Sequence, residues 1–214
     1  MLRFPSFSSP ARVSLVRRGL CASLLASVGL PILSACDRLG GNQGFRGIDL
    51  TGAAYAQGFS LTDFAGHPRT LADYRGQVVM LYFGFVQCPD VCPTALARAS
   101  AVMQQLGTDA SRVQLLFVTV DPERDTPELL REYMAAFDPR FVGLTGSMAQ
   151  IQATADAFRV YFKKVPTGSS YTMDHTALTY LFDPGGHIRV ALRHEQTADD
   201  YAADVRRLLA ESAV

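Results

Sequence analysis

The chain has 214 residues, of which 48% are hydrophobic, and this length predicts one domain with an export segment rather than two domains. Its 20 basic and 20 acidic residues cancel, so it lacks the basic surplus that nucleic-acid-binding proteins carry, and no nucleic-acid partner is expected. The charge is unevenly spread, because residues 1–35 contain four arginines and no acidic residue, which leaves a net charge of −4 on residues 36–214.

The N-terminus has the pattern of an export signal. An arginine-bearing stretch precedes 17 uncharged residues, 19–35, a run shorter than the roughly 20 residues that a membrane-spanning helix needs. The segment Leu33–Cys36 (LSAC) resembles the lipobox of bacterial lipoproteins, in which cleavage precedes a lipid-bearing cysteine. We therefore predict a lipoprotein signal peptide over residues 1–35, a lipid anchor on Cys36, and a location on the periplasmic side of the bacterial inner membrane. An uncleaved anchor helix is the alternative.

The segment after the lipobox is predicted to be a flexible tether, residues 36–57. Five glycines fall in residues 37–57, which show little apolar pattern. The folded domain is accordingly predicted to span residues 58–214.

Hydrophobic patterning in residues 58–214 predicts alternating strands and helices. Strands are predicted over residues 59–64, 78–86, 113–120, 141–145, 177–182 and 187–193, helices over 94–106, 127–137, 147–158 and 197–210, and a loop over 165–174. Because residues 78–86 are nearly all apolar, this strand is expected to be covered on both faces, as in a parallel or mixed sheet. The α/β order resembles a thioredoxin-like fold with insertions, in which helices flank a central mixed sheet.

Two cysteines, Cys88 and Cys92, lie where the strand predicted at 78–86 gives way to a helix. Pro93 places the helix start near Cys92, and a helix N-terminus lowers the pKa of a nearby thiol. At this spacing the pair can form a redox disulfide, bind a soft metal, or do both at different times. Two thiolates are too few for structural zinc, which takes four ligands, but they suit Cu(I). The alternative is that both cysteines are buried core residues without a functional role.

A copper site needs a third ligand, and the chain offers four histidines outside the leader: His67, His175, His187 and His194. His175 is the best candidate, since it precedes a predicted strand and follows a loop that can fold over the thiols. Asp121 ends the strand expected beside that of the thiols, and Asp174 can hold the other nitrogen of His175. For each aspartate the alternative is an ordinary turn residue.

Three sequence blocks together resemble the SCO/SenC family of copper chaperones, from residue 58 to the C-terminus. The blocks are Phe83–Thr94, Val120–Pro127, and Asp174–Thr176 followed by Tyr180–Gly186. The resemblance implies that Cys88, Cys92 and His175 bind copper and that Asp121 has a role near the site. It also implies assembly of the dinuclear copper centre in subunit II of cytochrome c oxidase, by copper donation or by thiol reduction.

We therefore expect a membrane-tethered metallochaperone rather than an enzyme, carrying copper as Cu(I) and with Cu(II) left open. Its expected partners are subunit II of cytochrome c oxidase or its assembly factors. The alternative is a membrane-tethered thiol–disulfide oxidoreductase that reduces a partner's cysteines. Such proteins usually carry Cys-x-x-Cys, a preceding tryptophan and a cis-proline opposite the thiols. This chain has three residues between its cysteines, no tryptophan, and no proline between Pro166 and Pro184, which favours the metal site.

Overall fold

A computed structural model of the chain describes residues 44–211. The predicted signal peptide and the predicted lipidation of Cys36 lie outside the described residues. Over residues 44–211, no helix combines the length and apolar character that crossing a membrane requires.

Eight strands form one mixed sheet at the centre of the domain. With a separate pair, the described residues form ten strands in all: β1 (Ile48–Asp49), β2 (Ser60–Asp63), β3 (Pro68–Thr70), β4 (Val78–Gly84), β5 (Val113–Thr119), β6 (Val142–Thr145), β7 (Phe162–Thr167), β8 (Ser170–His175), β9 (Thr179–Phe182) and β10 (Ile188–Leu192). The sheet order is β1-β10-β9-β4-β5-β6-β2-β3, and β7 and β8 form a separate hairpin. Only β4, β5 and β6 pair in parallel, so the predicted mixed sheet is confirmed.

Four α-helices accompany the sheet: α1 (Val91–Leu106), α2 (Pro127–Phe137), α3 (Met148–Ala157) and α4 (Ala198–Glu211). Two short 3-10 helices, Leu71–Tyr74 and Gly107–Arg112, complete the described elements. The predicted start of α2 is confirmed, because the Thr126 side chain accepts a hydrogen bond from the Leu129 backbone N–H and Pro127 is the first helical residue.

Both faces of β4 are covered, as its apolar sequence predicted, and all seven of its residues are buried. Consecutive side chains of a strand point to opposite faces. On one face Phe83 packs against Phe158, just beyond α3, with ring centroids 5.5 Å apart. On the other face Tyr82 packs against Phe117 of β5 at 6.2 Å, and Phe117 in turn meets Tyr133 of α2. β4 is therefore buried at the centre of a three-layer core, and the cysteine loop leaves its carboxyl end.

The domain begins earlier than the boundary predicted at residue 58. β1 pairs with β10, and the backbone N–H groups of Arg46 and Gly47 donate hydrogen bonds of 2.8 and 2.9 Å to the Asp204 carboxylate of α4. A Cβ atom at Gly47 would lie 2.5 Å from Val190 Cγ1, so this glycine serves a close approach rather than flexibility. The prediction of a flexible tether is therefore wrong for residues 44–57, where glycine content alone was misleading.

The loop predicted over residues 165–174 is instead a β-hairpin. β7 and β8 pair antiparallel, with Lys164 opposite Met173, and the chain turns at Gly168, whose φ is +60°. Most side chains of β7 are exposed, so this strand lacks the alternating apolar pattern by which strands are recognised. The hairpin matters for function because His175 is its last residue.

Candidate metal centre

Three elements bring Cys88, Cys92 and His175 together. Cys88 lies in the loop after β4, Cys92 is the second residue of α1, and His175 ends β8. One ligand atom from each residue lies within 4.8 Å of the other two. The Cys92 Sγ–His175 Nε2 distance is 3.5 Å, and the backbone N–H of Cys92 donates to Cys88 Sγ over the same distance. The two sulfur atoms are free thiols, so all three groups are available as ligands.

The three ligands differ in their access to solvent. Cys92 is fully buried, Cys88 is 8% exposed, and His175 is only partly buried. Gly84 makes room for the deepest ligand, because a Cβ atom there would lie 2.9 Å from Cys92 Sγ and 2.8 Å from Phe117 Cε2. An incoming ligand therefore reaches this centre from the side of Cys88 and His175.

The two thiols have opposite protonation preferences. The hydrogen bond from Cys92 lowers the pKa of Cys88 to about 3, helped by His175 and by the backbone N–H groups of Asp90 and Cys92, against the effect of burial. The same hydrogen bond to Cys88, together with burial, raises the pKa of Cys92. The metal-free pair is thus a Cys88 thiolate that accepts a hydrogen bond from the Cys92 thiol. Because metal ligands must be deprotonated, metal binding displaces the proton of Cys92.

A backbone carbonyl orients His175. The ring atom Nδ1 lies 3.1 Å from the Thr176 carbonyl, which can only accept a hydrogen bond, so Nδ1 carries the proton and Nε2 presents its lone pair to the centre. The rings of Tyr82 and Phe85 hold the imidazole edge-on, at 6.1 and 5.8 Å. Asp174 was the predicted hydrogen-bond partner of His175 Nδ1, but its side chain is exposed. The backbone carbonyl of Thr176 lies beside Nδ1 instead.

Asp121 is fully buried and organises the side chains that join the hairpin to the cysteine loop. Its carboxylate accepts hydrogen bonds from Arg124 Nε and, at 2.9 Å, from the Tyr171 hydroxyl of β8. Arg124 Nη1 donates to Gln87 Oε1 at 3.1 Å and to the Tyr171 carbonyl at 2.8 Å. Through Arg124, Asp121 therefore connects the residue before Cys88 to the strand that carries His175. The predicted role of Asp121 near the metal site stays a prediction.

Sequence reasoning missed Asp125, whose carboxylate binds the backbone of the loop that carries Cys88. Its Oδ2 accepts hydrogen bonds from Thr119 Oγ1 at 2.6 Å and from the Val86 backbone N–H at 3.1 Å. Burial raises the pKa of Asp125 to about 6, and the charge of Asp121 adds to the effect, although the two hydrogen bonds and Arg124 oppose it. Its position in the block Val120–Pro127 was the only available signal, and that signal did not distinguish it from a turn aspartate.

Comparison with known proteins identifies the family. The SCO1/SenC family model matches residues 49–210. The chain belongs to the SCO1/SenC family. Two curated SCO1/SenC proteins, the mitochondrial SCO2 homologues of Bos taurus and Homo sapiens, are each 37% identical to it. These alignments cover 98% and 93% of this chain, and 85% and 76% of the bovine and human proteins.

Solved SCO1/SenC structures confirm both the family resemblance and the thioredoxin-like fold. Copper-bound ScoI of Bradyrhizobium japonicum is 43% identical and superposes with a TM-score of 0.66, over 71% of this chain and 97% of ScoI. Two thiolates and an imidazole are the donor set that soft copper prefers, and they lie together here as a metal site requires. The copper-bound relative and this donor set both support copper as the metal of the SCO1/SenC site in this chain.

The curated SCO1/SenC relatives contradict the predicted location. Both are named as mitochondrial proteins of eukaryotes. The prediction of the periplasmic side of the bacterial inner membrane is therefore wrong. That prediction depended on residues 1–36 alone, where the order of charged, apolar and small residues was taken as a bacterial lipoprotein signal.

Proposed function

We propose that this chain is a membrane-tethered copper chaperone that carries one Cu(I) ion on Cys88, Cys92 and His175 and delivers it to the dinuclear copper centre of cytochrome c oxidase subunit II. The observation that carries the proposal is the three-ligand group at the surface end of β4, in a chain whose family is associated with cytochrome c oxidase assembly. The tether is assigned to the residues that precede residue 44.

The graded burial of the ligands supports transfer by stepwise ligand exchange. His175 and Cys88 lie towards solvent, whereas Cys92 is fully buried. An acceptor thiolate or imidazole of the target displaces one of the two outer ligands first, and Cys92 releases copper last. Each step forms one copper–ligand bond as another breaks, so the oxidation state of the metal does not change. As copper leaves, Cys92 regains its proton, which favours release from the chaperone.

Copper transfer between purified proteins tests the proposal. The full-length chain, loaded with Cu(I) in the absence of oxygen, is mixed with the reduced copper-binding domain of subunit II, and both proteins are separated and assayed for copper. We expect copper to move to the target. In a target variant whose site cysteines are replaced by serine, it should stay on the donor. Retention of copper by the donor in the presence of the intact target would contradict the proposal.

The alternative, a thiol–disulfide oxidoreductase, is favoured by one observation, the low pKa of Cys88 beside the thiol of Cys92. In this reaction the Cys88 thiolate attacks a target disulfide, Cys92 resolves the mixed disulfide, and two electrons pass to the target as the Cys88–Cys92 disulfide forms. Metal-free reduced chain and oxidised target are therefore incubated together and their thiols counted. Complete reduction of the target, with no copper transfer in the first experiment, would establish the alternative.

A further inference from the structure

Met173 is the most deeply buried residue of the β7–β8 hairpin. Its exposed fraction is 5%, whereas every other residue of the two strands is exposed or only partly buried. Thioethers, like thiolates, are soft ligands that Cu(I) prefers. The strand that carries His175 therefore also carries a buried soft sulfur atom.

Strand alternation places the Met173 side chain between two contacts that β8 makes with the rest of the domain. Residues 171, 173 and 175 lie two apart along the strand, so their side chains share one face. At one end of this face the Tyr171 hydroxyl donates a hydrogen bond to Asp121 at 2.9 Å. At the other end His175 Nε2 lies 3.5 Å from Cys92 Sγ. The face that carries Met173 is therefore turned towards the domain, in agreement with its burial.

The cysteine loop lies opposite the same face of β8. At one end of the face, Arg124 Nη1 donates hydrogen bonds to the Tyr171 carbonyl at 2.8 Å and to Gln87 Oε1 at 3.1 Å. Gln87 directly precedes the first cysteine of the pair. At the other end of the face, the imidazole of β8 meets the second cysteine. Cys88 and Met173 each lie between these two contacts, one along the loop and the other along the strand.

We propose that the Met173 thioether is a fourth ligand for Cu(I), beside Cys88, Cys92 and His175. The inference deepens the proposed copper-carrying function and rests on it. A thioether is neutral and has no proton to lose, so it adds a soft ligand to the centre without adding charge. It is a weaker donor than a thiolate, so an acceptor ligand of the target displaces it first. One copper–sulfur bond then breaks as a copper–acceptor bond forms, and the oxidation state of the metal does not change.

X-ray absorption at the copper edge tests the proposal, because a selenium neighbour of copper is distinguishable from a sulfur neighbour. The full-length chain is labelled with selenomethionine, reduced, and loaded with Cu(I) without oxygen. We expect a selenium neighbour of copper in the wild type and its loss in Met173→Leu. This substitution nearly conserves the side-chain volume, so the packing of the hairpin is kept while the soft ligand is removed.

Met103→Leu is the matched control. Met103 is also buried, and it follows Cys92 by eleven residues in α1, about 16 Å along the helix axis. The control should keep both the selenium neighbour and the wild-type Cu(I) dissociation constant, measured by competition with a chromogenic chelator. Met173→Leu should bind Cu(I) about tenfold more weakly, since residues that support a metal centre typically contribute at least that factor. Thermal unfolding verifies that both variants fold.

The selenium neighbour decides the outcome. A wild-type chain that binds copper without a selenium neighbour would overturn the inference and leave the proposed three-ligand function standing. A selenium neighbour that persists in Met173→Leu would also overturn it, because another methionine would then be the ligand. A wild-type chain that binds no copper would contradict the proposed function itself, and the inference with it. The two failures are therefore distinguishable.

Discussion

Gly84 shows how one absent side chain shapes the centre. The strand residue nearest Cys92 must be small, because any Cβ would overlap both Cys92 Sγ and the Phe117 ring. Both of those groups are fully buried. Sequence reasoning treated Gly84 only as part of a family block, since a requirement for close approach is visible only when the two elements are packed.

Gly84→Ala is expected to displace Cys92 and to lower the free energy of unfolding by about 1–3 kcal/mol, as overpacking in a core typically does. It should also weaken Cu(I) binding, because one ligand leaves its position. Chemical denaturation and chelator competition measure the two effects. Gly58→Ala is the control, because a Cβ at Gly58 meets no atom within 4 Å. A wild-type copper affinity in Gly84→Ala would show that the absence of a side chain at Gly84 is not what positions Cys92.

Asp125 is a buried carboxyl whose pKa makes stability depend on pH. Its pKa of about 6 in the folded chain exceeds the ordinary value of 3.8, and burial is the main cause. The folded state therefore binds more protons than the unfolded state between these values. This carboxyl favours folding below its unfolded pKa, and that contribution is lost as the pH rises through about 6.

Asp125→Asn, which keeps the oxygen acceptor for Thr119 and Val86, should remove this dependence. Relative to the variant, the wild type is expected to lose up to roughly 3 kcal/mol of unfolding free energy between about pH 4 and pH 7. Urea denaturation of both proteins at several pH values measures the difference. Parallel stability curves for wild type and variant across this range would contradict the assignment of the titration to Asp125.

At the scale of elements, the hairpin β7–β8 decides whether the third ligand is in place. Its strands pair with each other and not with the central sheet, and β7 is largely exposed. Arg124 attaches it to the domain, since its guanidinium carbon also lies 3.7 Å from the centroid of the Tyr171 ring. The Arg124 contacts to Asp121, Gln87 and the Tyr171 backbone therefore hold His175 over the cysteines.

Arg124→Lys keeps the positive charge but loses the planar group that reaches several acceptors at once. We expect the hairpin to loosen, with faster amide hydrogen exchange in β7 and β8 and a Cu(I) affinity about 5- to 30-fold lower, the equivalent of roughly 1–2 kcal/mol. The control Arg140→Lys makes the same change in an Arg–Asp pair elsewhere, with Asp138, and should change neither quantity. Unchanged exchange in the hairpin of Arg124→Lys would show that other contacts hold it.

The elements also show what sequence alone can predict. β4, β5 and the four helices were predicted near their observed ranges, because long apolar runs and capping residues such as Thr126 and Ser147 act locally. The hairpin and β1 were missed, because their polar or glycine-rich sequences form strands only through partners distant in the chain. Residue types and motif context were enough to name Cys88, Cys92 and His175 as candidate ligands, and the structure brings these three together. Asp125 became visible only through its burial and hydrogen bonds.

At the scale of the whole molecule, the fold explains how His175, distant in sequence from Cys88 and Cys92, reaches the same centre. β4 ends in the buried core, and a short loop that carries Cys88 leads from it to α1 at Val91. β8 places His175, 83 residues after Cys92, at 3.5 Å from the Cys92 sulfur. Strand β1 and helix α4 belong to the same domain but contribute no ligand to the centre. Copper binding is thus expected to depend on the folded domain.

Copper stoichiometry of the ligand variants tests the central claim most directly. The full-length chain is reduced, loaded with Cu(I) without oxygen, and compared with Cys88→Ser, Cys92→Ser, His175→Ala and the control His187→Ala, whose side chain is 79% exposed. We predict one copper per chain in the wild type and the control, none retained by either serine variant, and weakened binding in His175→Ala. A serine variant that holds copper as tightly as the wild type would contradict the three-ligand centre.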